Sequence, residues 1–165
     1  MEITVRGEKV QLVGEPLKIG DELPHFKLFN QAGEKVKTVD LIGKPMVVSV
    51  VPDLHTDVCS LETKKFNQQA DEFPDVPFLT ISTNTPADQT DWCAAEGVKN
   101  LTLLSDHEES FGYATNLLIP DLDLLARCVY VVDGNGKIVY RDLLRELTDE
   151  PDYDKVLAQL AQFAK

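Results

Sequence analysis

Hydrophobic and polar positions alternate at the start of the chain and give way to longer apolar runs further on. Glu2–Arg6 and Lys9–Val13 alternate around Gly7-Glu8, a pattern that predicts an N-terminal β-hairpin. The proline and glycine breakers of Gly14–Pro24 predict a loop. Two short strands and then a turn or brief helix are predicted to follow, at Phe26–Phe29, Glu34–Thr38 and Asp40–Lys44.

The middle of the chain alternates between apolar runs and helical patterns. The apolar runs predict core strands at Met46–Val51, Val76–Ser82 and Leu101–Ser105. A helix after Pro52 would place four side chains on one face, namely Cys59, Phe66, Ala70 and Phe73. A second helix begins at Pro86 and ends at the C-cap Gly97, and a short third helix is predicted at His107–Thr115.

The last part of the chain predicts a hairpin and a final helix. Pro120 favours a loop for Asn116–Leu125. Two β-rich runs, Arg127–Val132 and Lys137–Tyr140, flank the turn signal Asp133–Gly136. The helix Tyr153–Phe163 would carry apolar residues on one side, at Val156, Leu157, Leu160 and Ala164. This order predicts an α/β thioredoxin-like fold, with a mixed central sheet flanked by helices and an N-terminal β-hairpin.

Composition narrows the class of protein. With 165 residues and 43% hydrophobic residues, we expect a single domain spanning 1–165. A net charge of −12 without a basic cluster argues against nucleic acid and anionic membranes as partners. No apolar run reaches the roughly 18–20 residues of a membrane span. The N-terminal residues lack a signal-peptide pattern and there are three cysteines, so we expect a cytoplasmic protein.

Cys59 is the first candidate for chemistry, because it falls in the first turn of a helix that follows a core strand. The positive end of a helix dipole favours a thiolate there, although a free cysteine can equally be a small buried hydrophobic residue. Thr56, one turn earlier, could donate to the thiolate, act as the helix N-cap, or do both. Pro52 could shelter the sulfur from water or simply end the strand.

Other candidates lie far from Cys59 in sequence. Cys93, on the next helix, could be a resolving thiol or an ordinary helix-face cysteine. Arg127 could direct its guanidinium towards a thiolate or reach solvent. Its neighbour Cys128 should point to the opposite face and pack in the core. The three histidines lack metal-ligand spacing and no phosphate-binding motif occurs, so we expect neither metal nor cofactor.

The motif Pro52-x-x-x-Thr56-x-x-Cys59 resembles the active-site motif of the peroxiredoxins. The longer matches resemble one branch, the bacterial thiol peroxidases, which are atypical two-cysteine peroxiredoxins. These matches extend over nearly the whole chain, at Val50–Pro52, Thr56–Cys59, Thr63–Asn67, Trp92–Gly97, Leu104–His107, Leu124–Arg127 and Glu150–Tyr153.

The resemblance implies a role for each matching residue. Cys59 would be the peroxidatic cysteine that becomes a sulfenic acid, and Cys93 would resolve it as an intrachain disulfide. Thr56 and Arg127 would hold and polarise the peroxide, and Pro52 would shield the sulfur. The resemblance further implies hydrogen peroxide and alkyl hydroperoxides as substrates, a thioredoxin-like reductant and a homodimer. Because disulfide geometry needs Cα atoms within about 7 Å, we expect local helix unwinding during turnover.

Two segments depart from the family pattern. His55 and Asp57 stand where aspartate and often glycine or proline are expected, and Asp57 places a negative charge that opposes the helix dipole near the sulfur. Phe111–Pro120 also differs from the usual sequence, which affects expectations about substrate preference and the dimer surface. The alternatives are a thiol-based redox sensor or a disulfide oxidoreductase on the same fold, and the lack of a CxxC pair argues against the latter.

Overall fold

The computed structural model describes residues 1–163. Ala164, which the sequence pattern places on the apolar side of the last helix, lies outside the described residues. The strands are β1 (Glu2–Val5), β2 (Glu8–Gln11), β3 (Lys27–Phe29), β4 (Lys35–Lys37), β5 (Met46–Val50), β6 (Phe78–Ser82), β7 (Thr102–Ser105), β8 (Leu118–Ile119), β9 (Leu124–Leu125), β10 (Cys128–Val132) and β11 (Ile138–Leu143). The helices are α1 (Thr38–Leu41), α2 (Asp57–Ala70), α3 (Pro86–Glu96), α4 (Ser110–Thr115) and α5 (Tyr153–Phe163).

The central sheet has seven strands in the order β11-β10-β5-β6-β7-β3-β4. Strands β5, β6 and β7 pair in parallel, and the other pairings are antiparallel, so the sheet is mixed as predicted. Strands β5 and β6 are buried along their length because helices cover the sheet, and their sequences are accordingly mostly apolar. Strands β1 and β2 form the predicted N-terminal hairpin as a separate antiparallel pair.

Alternate residues of the central strands supply two cores. Val47, Val129 and Val131 pack with the apolar faces of α2 and α5, which contribute Phe66 and Leu160. The intervening residues of the same strands, such as Val48, Val50, Cys128, Tyr130 and Val132, belong to the core on the other face. Each such buried side chain contributes roughly 1.5–3 kcal/mol relative to exposure, so this two-sided burial fixes the register of the sheet.

A third cluster lies where β5 leads into α2. Val51, Leu54, Cys59, Trp92 and Leu103 form it, with Cys93 packed against its edge. These residues come from the β5–α2 connection, from α2, α3 and β7. Packing therefore brings the first turn of α2 and the third turn of α3 against the same apolar group.

Helix ends follow the local sequence in most places. Thr85 caps α3 by accepting a hydrogen bond from the backbone N–H of Asp88, with Pro86 at the start of the helix. Gly97 ends α3 with φ 69°, the left-handed conformation that favours glycine. Phe73 is an exception: α2 ends at Ala70, so Phe73 lies in the following turn and not on the helix. It precedes Pro74, and the residue before a proline is disfavoured in a helix.

The predicted loop Asn116–Leu125 is in fact a small antiparallel ribbon. Leu118 pairs with Leu125 and Ile119 with Leu124, on either side of a turn that contains Pro120. Burial explains the difference, because Leu118, Ile119 and Leu125 are enclosed in the core and their backbone groups need partners. Within residues 1–163, no helix combines the length and apolar character needed to span a bilayer.

Candidate active site

The connection between β5 and α2 places Cys59. Thr56 occupies the N-cap position of α2 with an extended backbone, and the helix begins at Asp57. The backbone N–H of Ser60 donates to the carbonyl of Thr56 at 2.9 Å, the first helical hydrogen bond. Cys59 thus lies among the unpaired N–H groups of the first turn, where the helix dipole favours negative charge. Its side chain is fully buried.

Arg127 contacts the sulfur from the neighbouring strand. It immediately precedes β10, and its side chain is 2% exposed. Its Nη2 donates to Cys59 Sγ at 3.2 Å, its Nη1 donates to Glu62 Oε2 at 2.6 Å, and its Nε donates to the carbonyl of Leu147 at 2.8 Å. Three acceptors, two on α2 and one at Leu147, therefore hold the guanidinium in one orientation. A buried cation at hydrogen-bond distance stabilises the ionised form of a thiol.

Glu62 is the buried counter-ion of this arginine. Its side chain is fully enclosed, and its second oxygen accepts a hydrogen bond from Ser49 Oγ at 3.2 Å. Burial raises the pKa of Glu62 to about 7, although Arg127 and Ser49 act in the opposite direction. Burial therefore favours the protonated form of Glu62 relative to an exposed carboxylate.

Arg127 itself remains charged. Burial alone would lower its pKa, but the charges of Glu62 and Cys59 outweigh burial, and the pKa of Arg127 lies above its ordinary value. A guanidinium is protonated at any physiological pH in either case. The positive charge beside the sulfur is thus permanent.

A cavity of about 380 Å³ opens beside this arrangement. Pro52, Thr56, Val58 and Arg127 line it, and Cys59 does not. Arg127 both lines the cavity and contacts the sulfur, so a molecule in the cavity meets the guanidinium next to the buried thiol. The walls are mostly apolar, which suits a small molecule with an organic substituent.

The hydroxyl of Thr56 already donates one hydrogen bond within the protein. Its Oγ1 donates to the carbonyl of Asp53 at 2.9 Å, and it forms no side-chain capping bond to α2. Across residues 1–163, no hydrogen bond links this hydroxyl to Cys59, although the sequence suggested that the two could meet. Because the proton is directed at Asp53, the oxygen lone pairs remain able to accept a hydrogen bond from a molecule in the cavity.

The candidate resolving thiol, Cys93, lies at the edge of the apolar cluster that contains Cys59. It is half-buried, and its sulfur accepts a weak hydrogen bond from Gln31 Nε2 at 3.6 Å. Burial raises the pKa of Cys93, with the Gln31 contact opposing. Cys93 is therefore a neutral thiol near Cys59, and all three cysteines are free.

Cys128 is fully buried in the core on the opposite face of the sheet from Arg127. Burial raises its pKa to about 12, so it is a neutral thiol at any physiological pH. The prediction that it packs in the core is confirmed.

The segment before Thr56 is joined to the start of α3. His55 Nε2 lies 2.8 Å from Asp88 Oδ1, and Asn84 Nδ2 donates to both Asp53 and Asp88. The hydrogen bond to Asp88 raises the pKa of His55. This exposed network ties the loop that precedes Cys59 to the helix that carries Cys93.

Two residues of the site were not anticipated from sequence. Glu62 and Ser49 complete the arrangement around Arg127. The signal for Glu62 was its position one turn after Cys59, because a carboxylate on the apolar face of a helix needs a buried partner. Among the residues that the structure describes, no group of three or more His, Cys, Asp or Glu side chains is placed to hold a metal ion.

Comparison with known proteins places the chain in a family. Residues 19–141 match the AhpC/TSA family. The chain belongs to that family. It is 42% identical to the thiol peroxidase of Bacillus subtilis over 93% of each chain, and 42% identical to the thiol peroxidase of Clostridium acetobutylicum over the full length of both. The resemblance to the thiol peroxidase branch of the peroxiredoxins is confirmed.

Solved structures of the family agree with the fold. The peroxiredoxin-like protein from Aquifex aeolicus superimposes with a TM-score of 0.91 at 30% identity, covering 98% of this chain and 96% of that one. The thiol peroxidase from Chromobacterium violaceum gives a TM-score of 0.88 at 18% identity, with the same coverage, and shows the fold alone. The predicted thioredoxin-like fold with a mixed central sheet is therefore confirmed.

Proposed function

We propose that this protein is a thiol-dependent peroxidase in which Cys59 is the peroxide-attacking thiolate. The observation that carries the assignment is the hydrogen bond of 3.2 Å from Arg127 Nη2 to Cys59 Sγ, at a helix N-terminus beside an apolar cavity. Membership of a family whose relatives are thiol peroxidases supports the same chemistry.

The first step is a displacement at oxygen. The sulfur lone pair forms an S–O bond with the terminal peroxide oxygen while the O–O bond breaks. Cys59 is oxidised by two electrons to a sulfenic acid, and the departing alkoxide or hydroxide takes a proton from water. Arg127 donors aimed at the reacting oxygens stabilise the charge that develops on them, and Thr56 accepts the hydrogen bond of the peroxide. Pro52, which lines the cavity, shields the site from water.

The second step converts the sulfenic acid into a disulfide. The Cys93 thiol attacks the sulfenic sulfur, water leaves, and an intrachain disulfide forms. Cys59 is buried in the first turn of α2 and Cys93 is half-buried on α3, so we expect local unwinding of one or both helices at this step. Unchanged amide exchange in both segments between the reduced and the oxidised protein would contradict that expectation.

The substrates, the reductant and the homodimer follow from the family resemblance, while the compartment and the single domain follow from composition, cysteine count and length. The substrates are hydrogen peroxide and alkyl hydroperoxides, and a thioredoxin-like dithiol reduces the disulfide. The protein acts in the cytoplasm as a homodimer, and residues 1–165 form one domain. No cofactor is required, since sulfur chemistry carries both electrons.

A peroxidase assay coupled to thioredoxin oxidation tests the assignment. Cys59→Ser should abolish peroxide consumption because the nucleophile is gone. Cys93→Ser should permit one turnover and then stop, leaving a sulfenic acid that a dimedone probe captures. Full activity of Cys59→Ser would overturn the proposal. A redox sensor would oxidise once in the same assay without continuous turnover by the wild-type protein.

A further inference from the structure

The N-terminal hairpin is joined to the segment that follows β11, residues 145–148. The backbone N–H of Thr4 donates to the carbonyl of Arg145 at 2.7 Å, and that of Leu147 donates to the carbonyl of Thr4 at 2.8 Å. Strand β1 therefore extends its pairing to this segment, although Thr4 and Arg145 are 141 residues apart in sequence. Neither contact belongs to the central sheet.

The carboxylate of Glu146 strengthens this junction. From the hairpin it accepts hydrogen bonds from Thr4 Oγ1 at 3.0 Å, from the N–H of Arg6 at 3.2 Å and from that of Gly7 at 2.8 Å. From its own segment it accepts bonds from the N–H of Thr148 at 2.9 Å and from Thr148 Oγ1 at 2.7 Å. The backbone N–H groups of Thr148 and Gly7 contribute most to lowering the pKa of Glu146 to about 2.

The turn of the hairpin is shaped for this contact. Arg6 and Gly7 both have left-handed backbones, with φ 51° and 81°. An arginine is rarely found there, and the strain requires a compensating interaction. The two N–H groups of these residues both point at the Glu146 carboxylate. Val5 and Arg6 also line the cavity beside Cys59.

The 145–148 segment in turn holds Arg127. Its residue Leu147 is buried, and the Leu147 carbonyl accepts the Nε hydrogen of Arg127 at 2.8 Å. The other two acceptors of the guanidinium are Cys59 and Glu62. Removing one of three fixed acceptors would let the planar group rotate about its long side chain.

We propose that Glu146 is a positioning residue for the reaction at Cys59. It fastens the N-terminal hairpin to the 145–148 segment, so that the Leu147 carbonyl holds the Arg127 guanidinium against the sulfur. The N-terminal hairpin is thereby part of the active-site apparatus, although it lies outside the central sheet. This inference rests on the proposed function for its kinetic consequence, and its structural part can be measured without peroxide.

The test replaces Glu146 by glutamine. Glu146→Gln keeps the shape but removes the charge and directs an NH₂ group at backbone donors, which breaks part of the junction. Two quantities are measured: the second-order rate of Cys59 oxidation by peroxide, and the pH profile of thiolate absorbance, taken as a difference from the same protein carrying Cys59→Ser. We expect the rate to fall about tenfold, the effect of a slight misplacement of a reacting group, and the absorbance profile to move to higher pH.

Glu8→Gln is the matched control, because Glu8 is an exposed carboxylate on the same hairpin outside the Glu146 contacts. It should leave both quantities unchanged. Thr148→Val removes one of the hydrogen-bond donors to Glu146 and should change both quantities in the same direction, but less. It replaces Glu146→Gln as the test variant if Glu146→Gln does not fold. A folded Glu146→Gln with unaltered rate and absorbance profile would overturn the inference, as would equal changes in Glu8→Gln.

The two proposals fail in different ways. If Glu146→Gln shifts the Cys59 absorbance profile but the wild-type protein does not reduce peroxide, this inference stands and the proposed function is refuted. If the wild-type protein reduces peroxide but Glu146→Gln leaves the Cys59 absorbance profile unchanged, the proposed function stands and this inference is refuted.

Discussion

Cys59 and Cys128 are both fully buried, yet their surroundings differ completely. Cys59 lies at a helix N-terminus with a guanidinium at 3.2 Å. Cys128 lies among apolar side chains, and burial raises its pKa to about 12. The residues responsible are neighbours in sequence, because Arg127 and Cys128 occupy adjacent positions at the start of β10.

The comparison shows that two equally buried thiols can have very different electrostatic surroundings. Successive residues of a strand point to opposite faces of a sheet, so one position supplies charge to α2 while the next enters the apolar core. A buried thiol without a cation stays neutral, and a buried thiol beside a fixed cation can be held as a thiolate. The difference between the two cysteines is therefore electrostatic.

Removing the Arg127 guanidinium would abolish most of the electrostatic difference between Cys59 and Cys128. We expect this substitution to have the largest effect of those predicted. Arg127→Met should lower the rate of Cys59 oxidation by about a thousandfold, the upper end of what one oriented donor contributes to a transition state. Rapid-quench mass spectrometry of single turnovers measures it. Arg145→Met is the matched control, since the side chain of Arg145 is exposed. A loss of less than threefold in folded Arg127→Met would contradict the electrostatic explanation.

Replacing Glu62, the buried partner of Arg127, should give the next largest effect, which is a change in the pH dependence of stability. Because burial raises the pKa of Glu62 from 4.5 to about 7 in the folded protein, folding favours its protonated form. Its contribution to stability is complete below about pH 4.5 and is lost as the pH rises through about 7. The loss amounts to about 3 kcal/mol, from the size of that shift.

Glu62→Gln removes this pH dependence, and urea unfolding between pH 4.5 and 8 measures it. As the pH rises, the free energy of unfolding should fall in the wild type relative to that of the variant. Glu72→Gln, at an exposed position just after α2, should follow the wild type at every pH. A constant difference between Glu62→Gln and the wild type would show that Glu62 keeps one charge state throughout.

Replacing the unreactive cysteine should have the smallest effect. Cys128→Ala should leave the peroxidase rate within about twofold, because Cys128 faces away from the cavity and only a small side-chain volume is lost, at a cost of about 1 kcal/mol in stability. Steady-state peroxide consumption and thermal unfolding measure the two quantities. Oxidation of Cys128 in the wild type by one equivalent of peroxide would contradict the comparison.

Much of the fold could be predicted from local patterns. The core strands, the Pro86 start and Gly97 end of α3, and the Asp133–Gly136 turn carry signals within a few residues. The β8–β9 ribbon could not be predicted, since its pairing depends on burial against distant residues. The end of α2 was misplaced because the apolar spacing of Phe73 outweighed the effect of the proline that follows it.

The candidate site likewise combines features that local sequence predicts with contacts that it does not. The position of Cys59 after a strand, and of Thr56 one turn before it, is local and was readable from the sequence. The sequence by itself determined that Cys59 falls in the first turn of a helix, because a helix start and its dipole are set by neighbouring residues. Tertiary structure alone decided that Arg127 meets Cys59 and Glu62, and that Glu146 joins the N-terminal hairpin to the 145–148 segment. Such contacts depend on strand order and on which face each side chain takes, and both are settled only when the two sides of the sheet are packed.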